Sequence, residues 1–225
     1  MLKQGTHISN RHGIGYIIDQ RGRPVRYKPW LGDAFAFLYD GIMRRSIFPK
    51  KFGGDLDKHL NILKQELAGL HNLRVLELAA GSGNIADILN NDNSYTGTDI
   101  SPGLLNRAQK RFNDAGFSMA EFYVVSADGL PFEDDSFDVC LCNLSLNFFN
   151  HIDRVFSELR RVLAPGGLFL CSVPVPERKP AASKIRGTLY SEGELVDLTH
   201  RYGLTFDPID AENGAVFYFK AILHQ

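Results

Sequence analysis

The stretch Arg74-Val75-Leu76-Glu77-Leu78-Ala79-Ala80-Gly81-Ser82-Gly83-Asn84 is an apolar run closing on a carboxylate, then a small-residue turn, then a helix start. Val75, Leu76 and Leu78 suit a strand buried on both faces. Gly81 and Gly83 permit a tight turn and a close approach of backbone to ligand. A helix over 84–91 would aim its free N–H groups at that ligand. The pattern predicts a strand that delivers its C-terminal edge to a nucleotide-type ligand, although two close glycines also serve as a plain turn in many α/β proteins. A second run, Ser94-Tyr95-Thr96-Gly97-Thr98-Asp99-Ile100-Ser101, sharpens the reading. It ends in Asp99, 22 residues after Glu77, close to the ~20-residue offset at which an acidic strand tip reaches a ribose.

Glu77 bears on which nucleotide it is. A dinucleotide would lay its pyrophosphate over the glycine turn, where an adjacent carboxylate repels it. S-adenosylmethionine has no phosphate, carries a sulfonium and an ammonium, and offers ribose hydroxyls to Asp99. Charge therefore favours it over NAD. A nicotinamide-dependent Rossmann oxidoreductase stands second and a non-catalytic Rossmann-like partner protein third.

Outward from this centre the chain alternates β and α. Strands are predicted near 73–79, 94–98, 121–126, 138–143 and 167–173, and helices near 84–91, 101–115, 152–163 and 191–202. Such alternation implies an α/β fold with a doubly wound, mostly parallel sheet and its ligand at the carboxyl ends of the strands. Leu204-Thr205-Phe206 and Ala215 to Ala221 read as a closing antiparallel hairpin. Upstream, Ile14 to Asp19 and Pro24 to Tyr27 flank Gln20-Arg21-Gly22-Arg23, which predicts a small N-terminal β-hairpin. Asp33 to Arg45 has helical character with an aromatic face. Leu56, Leu60, Leu63, Leu67 and Leu70 recur at 4, 3, 4, 3 spacing, the stripe of a packed helix, expected to be core rather than a cofactor box.

Composition is ordinary for a soluble globular protein: of 225 residues 44% are hydrophobic and 23% charged. No apolar run approaches ~18 residues and no secretory leader is legible, so the expected location is cytoplasmic. Cys140, Cys142 and Cys171 lie in apolar strand-like runs and read as buried thiols. Alternation places Cys140 and Cys142 on one sheet face, and no ligand spacing supports a metal. Net charge is −1 but uneven, +7 over residues 1–54 and −8 over the rest. A solvated face that pairs with the acidic body is the simpler reading, since Arg21, Arg23, Arg26 and Lys28 form no continuous basic helix. RNA or protein methylation through that face stays open as an alternative.

Four blocks in order carry a resemblance: Val75 to Gly83; Asp99; Ala127-Asp128-Gly129-Leu130-Pro131-Phe132-Glu133-Asp134-Asp135-Ser136-Phe137-Asp138; and Leu159-Arg160-Arg161-Val162-Leu163-Ala164-Pro165-Gly166-Gly167. Over residues 55 to 210 the chain resembles the class I S-adenosylmethionine-dependent methyltransferases of the small-molecule type. Many members have glycine where this chain has Ala79, and the ubiquinone/menaquinone C-methyltransferase branch is similar to it there. The resemblance implies a seven-stranded Rossmann-like sheet, an arm and lid segment over 1–54 and a cofactor-binding domain over 55–225. It implies that Glu77, Ala79, Gly81 and Ser82 surround the methionine portion, with Glu77 near its ammonium. Asp99 would accept from the ribose hydroxyls and Ile100 would pack on adenine. Ala127, Asp128 and Gly129 would meet the adenine edge, and Asn143 and Leu144 would line the methyl-bearing sulfur. For all of these the plain alternative is a turn or capping residue.

No catalytic residue is assigned. His151 and Tyr190 are the positions to test as a base for an acceptor that must lose a proton, and Tyr39, beside Asp40, as a lid. Trp30, Phe35, Phe37, Tyr39, Phe48, Phe148 and Phe149 suggest a pocket for a small, flat or apolar methyl acceptor. Nucleic acid is the disfavoured partner, and homo-oligomerisation through the N-terminal arm is left open.

Overall fold

The computed structural model describes residues 2–27, 39–178 and 185–224. Trp30, Phe35, Phe37, residues 33–38 of the expected 33–45 helix and the side chains of Tyr39 and Asp40 lie outside the described residues, so the lid assigned to Tyr39 does too.

Among the described residues nine strands form one sheet: β1 (Ile8–Arg11), β2 (Ile14–Ile17), β3 (Arg74–Leu78), β4 (Ser94–Asp99), β5 (Ala120–Val124), β6 (Phe137–Asn143), β7 (Leu163–Pro174), β8 (Leu204–Pro208) and β9 (Val216–Leu223). Their spatial order is β1-β2-β5-β4-β3-β6-β7-β9-β8. The strands expected from residue 73 onward account for β3 to β9, and the count exceeds seven because the β1–β2 hairpin adds to the edge beyond β5. β5-β4-β3-β6-β7 is parallel, and β9 and β8 close it antiparallel. The order reverses at β3 and β6, whose tips form the topological switch point.

Among the described residues the sheet is covered by α1 (Leu56–Leu67), α2 (Pro102–Asp114), α3 (Ile152–Val162) and α4 (Glu192–Arg201). Residues of α1 and α2 pack with Val75, Tyr95 and Leu141 in one core cluster. Residues of α3 and α4 pack with Leu76, Leu78, Cys140, Cys142 and Cys171 in the other. Strand alternation thus sends Val75 and Leu76 to opposite faces, and the three cysteines are free, buried core residues as expected.

Two local expectations are corrected. The N-terminal hairpin pairs β1 with β2, Ser9 opposite Tyr16, and turns at His12 and Gly13, both at positive φ (54° and 83°), the geometry of a two-residue primed turn. The expected turn at Gln20 to Arg23 forms as well, with the Asp19 N–H donating to the Arg23 carbonyl and the Val25 N–H to the Ile17 carbonyl, both at 2.8 Å, but its return arm is short and pairs through the single Ile18–Pro24 bridge. β2 then lies parallel to β5, with Ile14 opposite Phe122, so this hairpin is bonded into the sheet edge.

The helix expected at 84–91 is a single 3-10 turn, Asn84–Asp87. The Asn90-Asn91-Asp92-Asn93 run that follows is a poor helix former. Asn90 Nδ2 donates to the Leu70 carbonyl at 3.0 Å, and Asn93 Oδ1 accepts from the Leu73 N–H at 2.9 Å. These amides tie the loop to the start of β3 instead of extending a helix.

Ahead of α1, the backbone runs helically through Tyr39–Ile42 and a π-helical segment, Met43–Phe52, which buries Met43, Phe48 and Phe52. Asp55 caps α1 by accepting from the Lys58 N–H at 2.8 Å. Arg44 of the basic N-terminal region pairs with Asp57 at 2.6 Å, in keeping with a solvated face that meets the acidic body.

Candidate active site

The tips of β3, β4, β5 and β6 enclose two adjoining cavities that share Ala79, Gly81, Leu144 and Ser145. The larger, of about 340 Å³, is also lined by Asp99, Ile100, Ser101, Leu104, Val125, Ser126, Ala127 and Asp128, and on its other side by Phe148, Phe149, Asn150, His151 and Val155. The smaller is lined by Glu77, Ser82, Asn84 and Asn143, and by Met43, Leu56, His59 and Leu60 from the segment before β3. Two members of the leucine stripe therefore wall a cavity, where the sequence suggested core alone.

At the β3 tip, Ala79 has φ 52° and stands in the left-handed region. This gives the physical reason for glycine at that position in many methyltransferases: an alanine there is strained by about 1–2 kcal/mol. Gly83 has φ 77° and packs so tightly on α2 that a Cβ would lie 2.7 Å from Ala108 Cα, so glycine is required for helix packing as well as for the turn. Asp99, 8% exposed, joins the two tips. Its Oδ2 accepts from the Gly81 N–H at 3.0 Å and its Oδ1 from the Ser101 N–H at 2.8 Å. The carboxylate that reads as a ribose acceptor also holds the glycine turn in place.

Glu77 is 2% exposed. Burial pushes its carboxyl up to about 8; the hydrogen bond from Tyr95 pulls the other way and the nearby Asp99 charge adds to the rise. The Tyr95 hydroxyl donates to Glu77 Oε2, while its ring stacks on Phe112 at 3.8 Å between centroids. Gly97, opposite Glu77 in the β3–β4 register, makes room for this arrangement, since a Cβ there would come within 3.0 Å of the Tyr95 hydroxyl. A carboxyl held up to about 8 keeps its proton at neutral pH. The argument that its charge repels a pyrophosphate therefore weakens, and the choice of nucleotide rests on the rest of the site.

At the β6 tip, Leu144 has φ 55°, an uncommon conformation for a bulky residue that concentrates at functional sites. It is held there by its N–H donating to the Ser172 carbonyl at 2.8 Å. Asn143 lines the smaller cavity, and Ala127 and Asp128 line the larger. Gly129 is exposed and lines neither cavity. His151 stands at the N-cap position of α3 without a side-chain cap bond and lines the larger cavity beside Asn150. Tyr190 packs against the core and lines neither.

Several contributors escaped the sequence reading. Tyr95 and Gly97 sit one strand away from the carboxyl they shape. Tyr27 bonds the Ser126 backbone and feels the Asp128 charge; burial is the main cause that raises its hydroxyl pKa. Met43 and His59 reach the smaller cavity only through tertiary packing. Among the described residues no group of acidic, histidine or cysteine side chains is arranged to hold a metal.

A reversing parallel sheet whose tips set a buried carboxyl, a glycine turn, an acidic strand end and a further carboxylate around one cleft defines the class I methyltransferase architecture. Residues 76–171 match the family model described as "Methyltransferase domain". The chain is 38% identical over 107 residues to the ubiquinone/menaquinone biosynthesis C-methyltransferase UbiE of Bartonella quintana (strain Toulouse), covering 45% of this chain and 41% of that one. It is 37% identical over 115 residues to phthiotriol/phenolphthiotriol dimycocerosates methyltransferase 1 of Mycobacterium ulcerans (strain Agy99), covering 50% and 40%. The match thus spans about two fifths of these curated relatives' length. In fold it is similar to a SAM-dependent methyltransferase from Aquifex aeolicus, with TM-score 0.64, 16% identity and coverage of 85% of this chain and 98% of that one. Over residues 76–171 the chain is similar to the class I S-adenosylmethionine-dependent methyltransferases, and within that class it resembles the UbiE branch.

Proposed function

We propose that the protein is an S-adenosylmethionine-dependent methyltransferase that methylates a small, apolar or aromatic acceptor. The observation that carries this reading is the pair of joined cavities with unlike carboxyl groups: Asp99 and Asp128 on the larger, Glu77 on the smaller. The residues fit the cofactor. Asp99 suits ribose hydroxyls, Ile100, 40% exposed at the rim, suits an adenine face, and Asp128 suits its exocyclic amine. Ala79, Gly81 and Ser82 suit the methionine chain, Glu77 its ammonium, and Asn143 and Leu144 the wall beside the sulfur.

When bound, the cofactor supplies an electrophilic methyl group: one bond forms from the acceptor nucleophile to that carbon, and the carbon–sulfur bond breaks with its electron pair left on sulfur. What this chain's residues contribute is alignment and charge placement, which carry most of such a displacement. A general base is optional.

The apolar acceptor is supported by Phe148, 54% exposed on the cavity rim, with Phe149 beside it, and by the quinone and lipid methyltransferases to which the chain is similar. Residues 1–54 are assigned as an arm and lid segment over a cofactor domain at 55–225; Met43 on the smaller cavity supports the lid. The three buried thiols suit a reducing, cytoplasmic location, and no helix among the described residues is long and apolar enough to cross a membrane.

Calorimetric titration with S-adenosylmethionine, S-adenosylhomocysteine and NADH tests the reading. Saturable binding of the first two and none of NADH is expected, after which acceptors are sought among phenols and quinols. Binding of NADH alone, or of none of the three, overturns it.

A further inference from the structure

Behind the smaller cavity runs a buried chain of polar side chains whose hydrogen-bond direction is set by a peptide group. Asn213 Oδ1 accepts from the Asp55 N–H at 2.8 Å, and Asn213 Nδ2 donates to the Asp55 carbonyl at 2.9 Å. A peptide N–H can only donate and a carbonyl can only accept, so the Asn213 amide has one orientation. Its Nδ2 also donates to Tyr218 Oη at 3.1 Å. The Tyr218 hydroxyl in turn lies 2.9 Å from His59 Nδ1 and places its own proton there. The reverse arrangement, with His59 Nδ1–H as donor, would leave a fully buried phenolic O–H without an acceptor, which is costly.

His59 is 1% exposed, and burial lowers its pKa to about 4, so the ring is neutral and carries one proton. With Nδ1 accepting from Tyr218, that proton is on Nε2, which faces Asn143 Oδ1 at 2.9 Å. Ser172 Oγ donates to the same oxygen at 2.7 Å. Both lone pairs of the Asn143 amide oxygen are then used, and the amide nitrogen is the group left over. Asn143 Nδ2 has no partner among the described residues, and Asn143 shares the smaller cavity with Glu77.

We propose that His59 is a positioning residue which, through Asn143, sets an amide NH2 on the smaller cavity as the receptor for the carboxylate of the cofactor's amino-acid end. The inference rests on the S-adenosylmethionine reading and deepens it. An α-amino acid zwitterion needs an acceptor for its ammonium and donors for its carboxylate. Glu77 is the acceptor, and Asn143 supplies donors only while its oxygen is engaged elsewhere. A rotated Asn143 would present its oxygen to the carboxylate and repel it.

The test compares two ligands on the full chain by calorimetry: S-adenosylhomocysteine, which has the amino-acid end, and 5′-methylthioadenosine, which lacks it. In His59→Phe and in Asn143→Asp, affinity for S-adenosylhomocysteine falls by about tenfold or more, while that for 5′-methylthioadenosine stays within about twofold. Equal losses for the two ligands, or an unchanged S-adenosylhomocysteine affinity, overturn the proposal. A wild-type chain that binds both ligands equally overturns the carboxylate receptor alone, whereas one that binds neither overturns the methyltransferase reading and this inference with it. If His59→Phe does not fold, Asn143→Asp retains the histidine and its packing. A ¹⁵N spectrum of histidine-labelled wild type requires no variant. It should show one histidine, insensitive to pH above 5, protonated at Nε2 and bare at Nδ1; the opposite tautomer overturns the proposal.

Discussion

The larger cavity is rimmed by exposed apolar side chains, Ile100 and Phe148, and its carboxyl groups stand at strand tips, whereas the smaller is walled by Met43, Leu56 and Leu60 and holds a carboxyl that burial has pushed up to about 8. Asp99 is committed in advance: two backbone N–H groups hold its side chain in place. Glu77 is held back. On the proposed reading it keeps a proton until the cofactor's ammonium stabilises the ionised form; one end of the cleft would then select by fixed geometry and the other by a charge that binding creates.

Breaking the fixed end has the largest expected effect. Asp99→Ala removes the proposed ribose acceptor and the side-chain acceptor of the Gly81 and Ser101 N–H groups. Losing a charged hydrogen-bond acceptor is worth about 1.5–3 kcal/mol, so S-adenosylmethionine affinity measured by calorimetry should fall on the order of 100-fold. Unchanged affinity would remove Asp99 from the site.

The held-back end is sharpened by pH. With the Glu77 carboxyl raised to about 8 in the free protein, binding a cation beside it releases up to one proton at neutral pH. Affinity should therefore rise between pH 5.5 and 7.5 by up to about tenfold per unit, and the binding enthalpy should vary with the ionisation enthalpy of the buffer. Glu77→Gln should abolish both dependences and weaken binding near pH 7.5. The same shift has a stability consequence with a definite sign. Because the folded pKa lies above the unfolded value near 4.5, the folded state holds more protons than the unfolded state between the two. Stability attributable to this group is present below about 4.5 and lost as pH rises toward 8. Thermal melts should show Glu77→Gln gaining on wild type from pH 5 to pH 8; a constant difference would mean that Glu77 is ionised in the free protein.

The hinge between the two ends should respond least. Ala79→Gly relieves the left-handed strain at φ 52° but loosens the unfolded chain, offsets of about 1–2 and about 0.5–1 kcal/mol. A gain below about 1 kcal/mol in denaturant unfolding is expected, with cofactor affinity unchanged. A marked loss of stability would show that the Ala79 methyl group fills space that the turn needs.

Local patterns carried much of this. The apolar run 75–78, the glycines that follow and the acidic end of the next strand are read within one βα unit, and the parallel core of the sheet follows from the alternation downstream. The Arg21-Gly22 turn is legible in the sequence, but the longer hairpin at His12-Gly13 is not, because the left-handed φ of His12 shows only in the folded chain. The helix after Gly83 was overread because the side chains of Asn90 and Asn93 find backbone partners around residues 70 to 73, a competition that periodicity does not register.

From sequence alone the fold class, the class of cofactor and the strand-tip residues Glu77, Gly81, Asp99 and Asp128 could be read, because strand, turn and acidic tip lie close together along the chain and their spacing is set by the βα unit itself. Only tertiary structure decided that Glu77 is buried over Tyr95, that β2 extends the sheet beyond β5, and that Asn143 is oriented through His59, Tyr218 and Asn213. Those partners lie 5 to 159 residues apart in sequence. Their protonation and direction follow from burial and from which hydrogen-bond partners the folded chain brings within reach.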